Sequence, residues 1–188
     1  MREQLLAAGL KTIHAGGFTA TGVQEIADAA KAPKGSFYNH FASKEAFAVA
    51  VLDRYVAEQT KTTQRFLSNE ALTPRERLRA YFARLAEEFS EGRFMGGCLI
   101  GNLSLELADH SKLVRDHLSV LLAGWTKALA NCIREAQRAG EIGSDVDADT
   151  LAEFAINAWE GAILRMKVEK DAAPLIRFQR VLFEKILV

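Results

Sequence analysis

Apolar residues return every three or four positions along almost all of this chain, and the strict alternation of a half-buried strand is nearly absent. That spacing limits the fold to packed helices. The three prolines, Pro33, Pro74 and Pro174, each stand at the head of a helically spaced stretch, where a missing backbone N–H costs nothing. Leu6, Leu10 and Ile13 form the first stripe, stopped by Gly16 and Gly17. Thr21 and Gln24 have the spacing of a capping box opening a short helix with Val23, Ile26 and Ala27 on one face. A third segment runs from about Pro33 to Phe41, and Ser43 suits the cap of a long helix from Lys44. Thr73, Pro74 and Glu76 predict a helix from Pro74 to about Ser90. Further helices are expected over Cys98 to Ala108, after Ser111 to Gly140, from Asp149 to Glu169 and from Pro174 to Leu187. The predicted class is all-α, with a three-helix unit over residues 1–44 and a helical bundle over residues 45–188.

With 188 residues, almost half of them apolar, the chain can build a real core. Lys and Arg number 24, as do Asp and Glu, so any affinity for a charged partner must come from a local patch. The start of the chain has helical spacing without a signal peptide's apolar run and cleavage site, and no stretch is apolar enough to span a bilayer, so a cytoplasmic location with no membrane partner is expected. Cys98 and Cys132 lie far apart without a CxxC partner, which suggests reduced thiols rather than a disulfide framework or a zinc site.

The patch lies in KAPKGSFYNHFASK, residues 31–44, which hold three lysines and a histidine and no acid. Phe37 and Phe41 share the inner face of a short helix, leaving Lys34, Ser36, Tyr38, Asn39 and His40 on or beside the outer one. Two short helices joined by a tight turn and braced by a preceding helix form a helix-turn-helix unit whose second helix fits a major groove about 12 Å wide. Lysines and hydroxyls there can hold phosphates, Asn39 or Lys34 can reach base edges, and Gly35 allows close approach. A helical hairpin with a solvated polar face has the same pattern.

The stretch GFTATGVQEIADAAKAPKGSFYNHFASKEAFAVAVL resembles the DNA-binding region of the TetR/AcrR transcriptional regulators. The resemblance rests on Gly17-Phe18, Thr21, Ile26-Ala27, Ala30, the run Pro33 to Tyr38, His40-Phe41 and Ser43-Lys44-Glu45. It implies a homodimer that represses transcription at a palindromic double-stranded operator until a small molecule reaches the C-terminal part. By position it makes Thr21, Ser36, Tyr38, His40 and Lys44 contacts to the DNA backbone and puts Lys34, Gly35 and Asn39 nearest the bases. Two departures stand out: Lys31 occupies a turn position that is usually Gly, and Met1 lies so close to the first helix that the basic arm of many relatives is missing or not included.

MGGCLIGNLSLELA, residues 95–108, similarly resembles the electrophile-sensing branch of that family through Gly97-Cys98-Leu99 and Gly101-Asn102-Leu103. Cys98 at a helix start would have its thiolate favoured by the helix dipole; the alternative is a small buried apolar side chain. Lys167 is expected to support that thiolate or to be a solvated charge at a helix end. A noncovalent inducer would instead sit among Phe82, Phe94, Trp125 and Trp159, with Asn102 as polar anchor. Enzymatic function finds no support: Cys98 with His110 or His117, and Glu106 with His110, are incomplete constellations, and the common catalytic and nucleotide-binding motifs are missing. No cofactor or metal is expected. The other functional classes are a thiol-dependent helical enzyme and a helical adaptor without DNA affinity.

Overall fold

A computed structural model describes residues 1–188 as nine α-helices and a terminal π-helical turn. They are α1 (Arg2–Gly16), α2 (Val23–Ala29), α3 (Lys34–Tyr38), α4 (Lys44–Leu67), α5 (Pro74–Glu91), α6 (Leu99–Leu107), α7 (Lys112–Arg138), α8 (Ala148–Glu169), α9 (Ala173–Val181) and the turn Leu182–Ile186. No helix is long and apolar enough to cross a membrane. Packing groups the residues into two compact units, Met1–Gln59 with Cys98–Leu121, and Thr60–Gly97 with Leu122–Val188. The boundary expected at residue 44 falls at the start of α4; the packing units instead place α4 as far as Gln59, α6 and the first part of α7 with α1 to α3.

In the first unit the core forms around Phe37. Its ring lies 4.9 Å from that of Phe47 and 5.4 Å from that of Phe41, and all three side chains are buried. Gly9 of α1 makes room for them: a Cβ there would come within 2.2 Å of the Phe47 ring. Leu5, Leu6 and Ile13 of α1 and Ile26 and Ala27 of α2 complete the core. Arg54 of α4 bonds Glu3 of α1 at 3.0 Å, and Asp53 of α4 meets His117 of α7 at 2.7 Å.

Helix ends explain the connections. The Gly17 N–H donates to the Ile13 carbonyl and closes α1. The expected capping box at Thr21 does not form, because α2 opens one residue later on Gly22 and the Thr21 hydroxyl turns back to the Gly17 carbonyl at 2.7 Å. Lys31 is left-handed, with φ 55°, and the Ala32 N–H reaches back to the Ala27 carbonyl, so the glycine-type ending of α2 is kept with a lysine in it. Pro33 is the N-cap of α3 rather than its first residue, and Ser43 caps α4 by accepting from the Ala46 N–H at 3.0 Å, as its sequence position predicts.

In the second unit the Thr73–Glu76 capping box forms in full, with Pro74 beside it. Asp147 caps α8, two residues before the expected start at Asp149. Phe82, Trp159, Phe178 and Phe183 make the centre of this unit, with Phe82 5.3 Å from Trp159 and 5.1 Å from Phe178. Arg75 of α5 donates to the carbonyls of Phe183 and Leu187, so a cation satisfies the backbone where the last helix ends.

A left-handed backbone costs a lysine more than a glycine. Lys31→Gly is therefore expected to raise stability by up to about 1 kcal/mol in urea denaturation. An unchanged midpoint would show that the turn holds no strain at Lys31.

Candidate nucleic-acid interface and sensing segment

Because Phe37 is locked inward, the rest of α3 and its C-terminal flank faces out. Lys34, Gly35, Tyr38, Asn39 and His40 are exposed and Ser36 is half-buried, so one short surface carries these six residues together. A Cβ built on Gly35 meets nothing within 4 Å, so the space above this position is open. Tyr38 packs edge-on against Phe37 with its centroid 5.3 Å away, while 57% of the residue stays accessible. An exposed surface of ammonium, hydroxyl, amide and imidazole groups without an acid among them suits phosphate oxygens and base edges.

Two other residues expected at this surface are engaged inside the protein. Thr21 is buried, its hydroxyl bonded to Gly17. The Lys44 ammonium donates to the Phe18 carbonyl at 2.6 Å and stands 4.3 Å from the centroid of the Phe18 ring. Partial burial lowers the Lys44 pKa, while the charges of Glu45 and Glu106 pull it back up. Both residues thus shape the turn between α1 and α2 from within.

The same turn receives a carboxylate from α6. Glu106, near the end of α6, accepts the Phe18 N–H on Oε1 at 3.2 Å and the Thr19 N–H on Oε2 at 2.8 Å. Gly17, with φ 86°, leaves space for the carboxylate, since a Cβ there would sit 3.0 Å from Oε1. No group of three or more His, Cys, Asp or Glu residues is placed to hold a metal. The backbone donors that engage Glu106 have no signature in the sequence.

At the other end of α6, Cys98 is the N-cap residue, its carbonyl accepting from the Asn102 N–H at 2.9 Å. Cys98 is a thiol and is 5% exposed. The turn before it is unusual: Arg93, Phe94, Gly96 and Gly97 all have positive φ, two of them without the freedom of glycine. Lys167 of α8 lies against this turn, since a Cβ on Gly97 would come within 2.6 Å of its Cδ. Cys132 is also buried, with its thiol directed at the Pro74 carbonyl, and desolvation pushes its pKa up to about 12.

The aromatic residues considered for a noncovalent site are only partly gathered. Phe82 and Trp159 touch, but both are fully buried and packed against Phe178 as core. Trp125 donates its indole N–H to the Tyr81 hydroxyl at 3.0 Å, and Phe94 stands in the left-handed turn. Asn102 belongs to the first unit, on α6.

Comparison with known proteins agrees with this geometry. Residues 5–51 match the model for bacterial regulatory proteins of the tetR family, and residues 74–182 match that for the tetracyclin repressor-like C-terminal domain. The chain is 42% identical over 187 residues to the HTH-type transcriptional repressor DhaR of Mycobacterium sp. strain GP1, covering 100% of this chain and 92% of that protein. Among solved structures, a regulatory protein TetR from Rhodobacter sphaeroides superposes with a TM-score of 0.91 at 36% identity, over 97% of this chain and 96% of the other. The reduced form of NemR from E. coli gives 0.89 at 30% identity, over 97% and 95%. Regulators of this kind are not enzymes. With family matches over both parts of the sequence and a repressor 42% identical along its length, the chain belongs to the TetR family of transcriptional regulators.

Proposed function

We propose that this regulator is a repressor that binds a palindromic operator as a homodimer and leaves it when an electrophile modifies Cys98. The observation that carries the DNA-binding part is the outward surface of α3: Lys34, Gly35, Ser36, Tyr38, Asn39 and His40 on one side, Phe37 buried on the other. One five-residue helix reads too few bases for useful specificity, so two copies are needed. The surface of α8 and α9 suits a second copy. Phe154, Leu164, Ile176 and Val181 are exposed there, around a groove of 290 Å³ that Phe154, Ala158, Ala162 and Phe178 help to line. An exposed apolar surface of this kind favours self-association. The site of action is the cytoplasm, where the operator is.

For the signal, the support is the place of Cys98 at the start of α6, just after a turn with four left-handed residues. The N-terminal dipole of α6 favours a thiolate at that position. With an α,β-unsaturated carbonyl compound, the sulfur adds to the β-carbon as the C=C π bond opens, and the α-carbon takes up a proton. The thioether is larger than the buried site that held the thiol, so α6 must shift to accommodate it. Similarity to NemR, whose solved form is described as reduced, also favours a redox or electrophile signal. The aromatic cluster around Phe82 and Trp159 is closed by direct ring contacts, which makes it a weaker candidate for a noncovalent inducer.

Three parts of this reading are tested in turn: the dimer on its palindrome, base readout and the signal. Selection of bound duplexes from a random pool should return a palindrome with half-site centres one or more whole turns apart, about 34 to 36 Å or a multiple. Ile176→Asp should halve the mass in sedimentation equilibrium; an asymmetric site bound by a monomer would refute the dimer. On the selected site, Asn39→Ala should relax base preference at one position per half-site, at a cost of about 1 to 3 kcal/mol. Equal losses on the operator and on random DNA would remove Asn39 from base readout.

The third uses the contrast between the two cysteines. Cys132 ionises only near pH 12 in the folded chain, against 9.0 for an ordinary thiol, so it stays protonated and unreactive at neutral pH. The raised pKa also means that stability supplied by the protonated thiol is complete below pH 9.0 and declines as pH climbs towards 12, because the unfolded chain ionises first. Mass spectrometry at pH 7.5 should find the electrophile on Cys98 and not on Cys132. Release from DNA should disappear in Cys98→Ser; release that persists in that variant, at native operator affinity, would eliminate the covalent mechanism.

A further inference from the structure

Glu106 makes two contacts that neither DNA binding nor thiol chemistry explains. Its carboxylate oxygens accept the successive N–H groups of Phe18 and Thr19 at 3.2 and 2.8 Å, 88 and 87 residues away in sequence. The peptide unit it holds is fixed again from the other side, because the Lys44 ammonium donates to the Phe18 carbonyl at 2.6 Å. Thr21, two residues on, anchors the same turn by its bond to Gly17. The turn opens directly into α2, whose ending sets the entry of α3. Its position therefore governs where the outward residues of α3 can reach.

We propose that Glu106 is a positioning residue for operator recognition: by holding the Phe18 and Thr19 amides from the end of α6, it sets the placement of the two reading helices. The proposal rests on residues 1–44 being the operator-binding head. Hydrogen bonds from neutral donors to a charged acceptor are stronger than neutral pairs, and two parallel ones fix direction as well as distance. Charge alone makes the opposite prediction. Removing an acidic group beside a surface that meets phosphates should tighten binding to any duplex. A positioning role loses affinity for the operator and spares random DNA, since the lysines that meet phosphate are untouched.

The test compares wild type, Glu106→Gln and Glu106→Ala as full chains, measuring fluorescence anisotropy on the selected operator and on a scrambled duplex of equal length. Operator affinity should fall about tenfold in Glu106→Ala and by less in Glu106→Gln, which retains one acceptor oxygen. Affinity for the scrambled duplex should stay level or rise slightly. Hydrogen exchange of the Phe18 and Thr19 amides should accelerate in both variants. Operator affinity that is unchanged, or that rises, overturns the proposal, as does an equal loss on the two duplexes. Should Glu106→Ala fail to fold, the isosteric Glu106→Gln decides by the same criteria. Wild-type protein that binds neither duplex would refute the operator-binding head instead; exchange in Glu106→Gln then judges the latch, unaltered rates overturning it and faster rates supporting it.

Discussion

The burial of Phe37 is the contact on which the first unit depends. A helix of five residues has no stability of its own, because nucleating a turn costs more than its few hydrogen bonds return. α3 exists because one ring from it packs in mutual contact with Phe41 and Phe47, the latter seated in the space that Gly9 leaves on α1. Burying a side chain of that size contributes roughly 1.5 to 3 kcal/mol, comparable to the whole intrinsic preference of so short a segment. Orientation follows from the same contact. Once Phe37 is fixed, the 3.6-residue period leaves Lys34, Gly35, Tyr38 and Asn39 no route inward, and recognition chemistry becomes the outer side of a packing problem.

Much of this could be read without coordinates, and what was legible was local. The Thr73–Glu76 box, the Ser43 cap and the inward pair Phe37 and Phe41 each depend on residues a few positions apart. Thr21 shows the limit of such reasoning. Its spacing to Gln24 fits a cap, but a hydroxyl bonds the best-placed free acceptor, and the carbonyl of Gly17 at the end of α1 was nearer. Phe82 and Trp159 touch, but spacing alone does not tell a filled core from a ligand site. Glu106 was beyond reach altogether, since backbone N–H groups are the same at every position and no pattern announces which carboxylate will find them.

The two cysteines show how location sets chemistry when residue type and burial are nearly the same. Both are thiols with almost no accessible surface. Cys132 is inside a 27-residue helix, surrounded by its own turns, and there desolvation works against ionisation. Cys98 precedes the first turn of α6, and in the sequence just before it Arg93 and Phe94 hold a left-handed backbone at a conformational cost. In the proposed covalent signal, that is the segment expected to yield to a bulky adduct more readily than the middle of a long helix.

Under the roles proposed here α6 is employed at both ends, with the Cys98 cap at one and the Glu106 carboxylate at the other. The residues between them can change identity as long as they pack, but their number cannot change. Each residue turns the helix by about 100° and lengthens it by about 1.5 Å, so a single insertion or deletion would carry Glu106 to a different side of the helix. The length of this segment is a fixed quantity in the architecture, a phase relation that substitution can tune and that an insertion destroys.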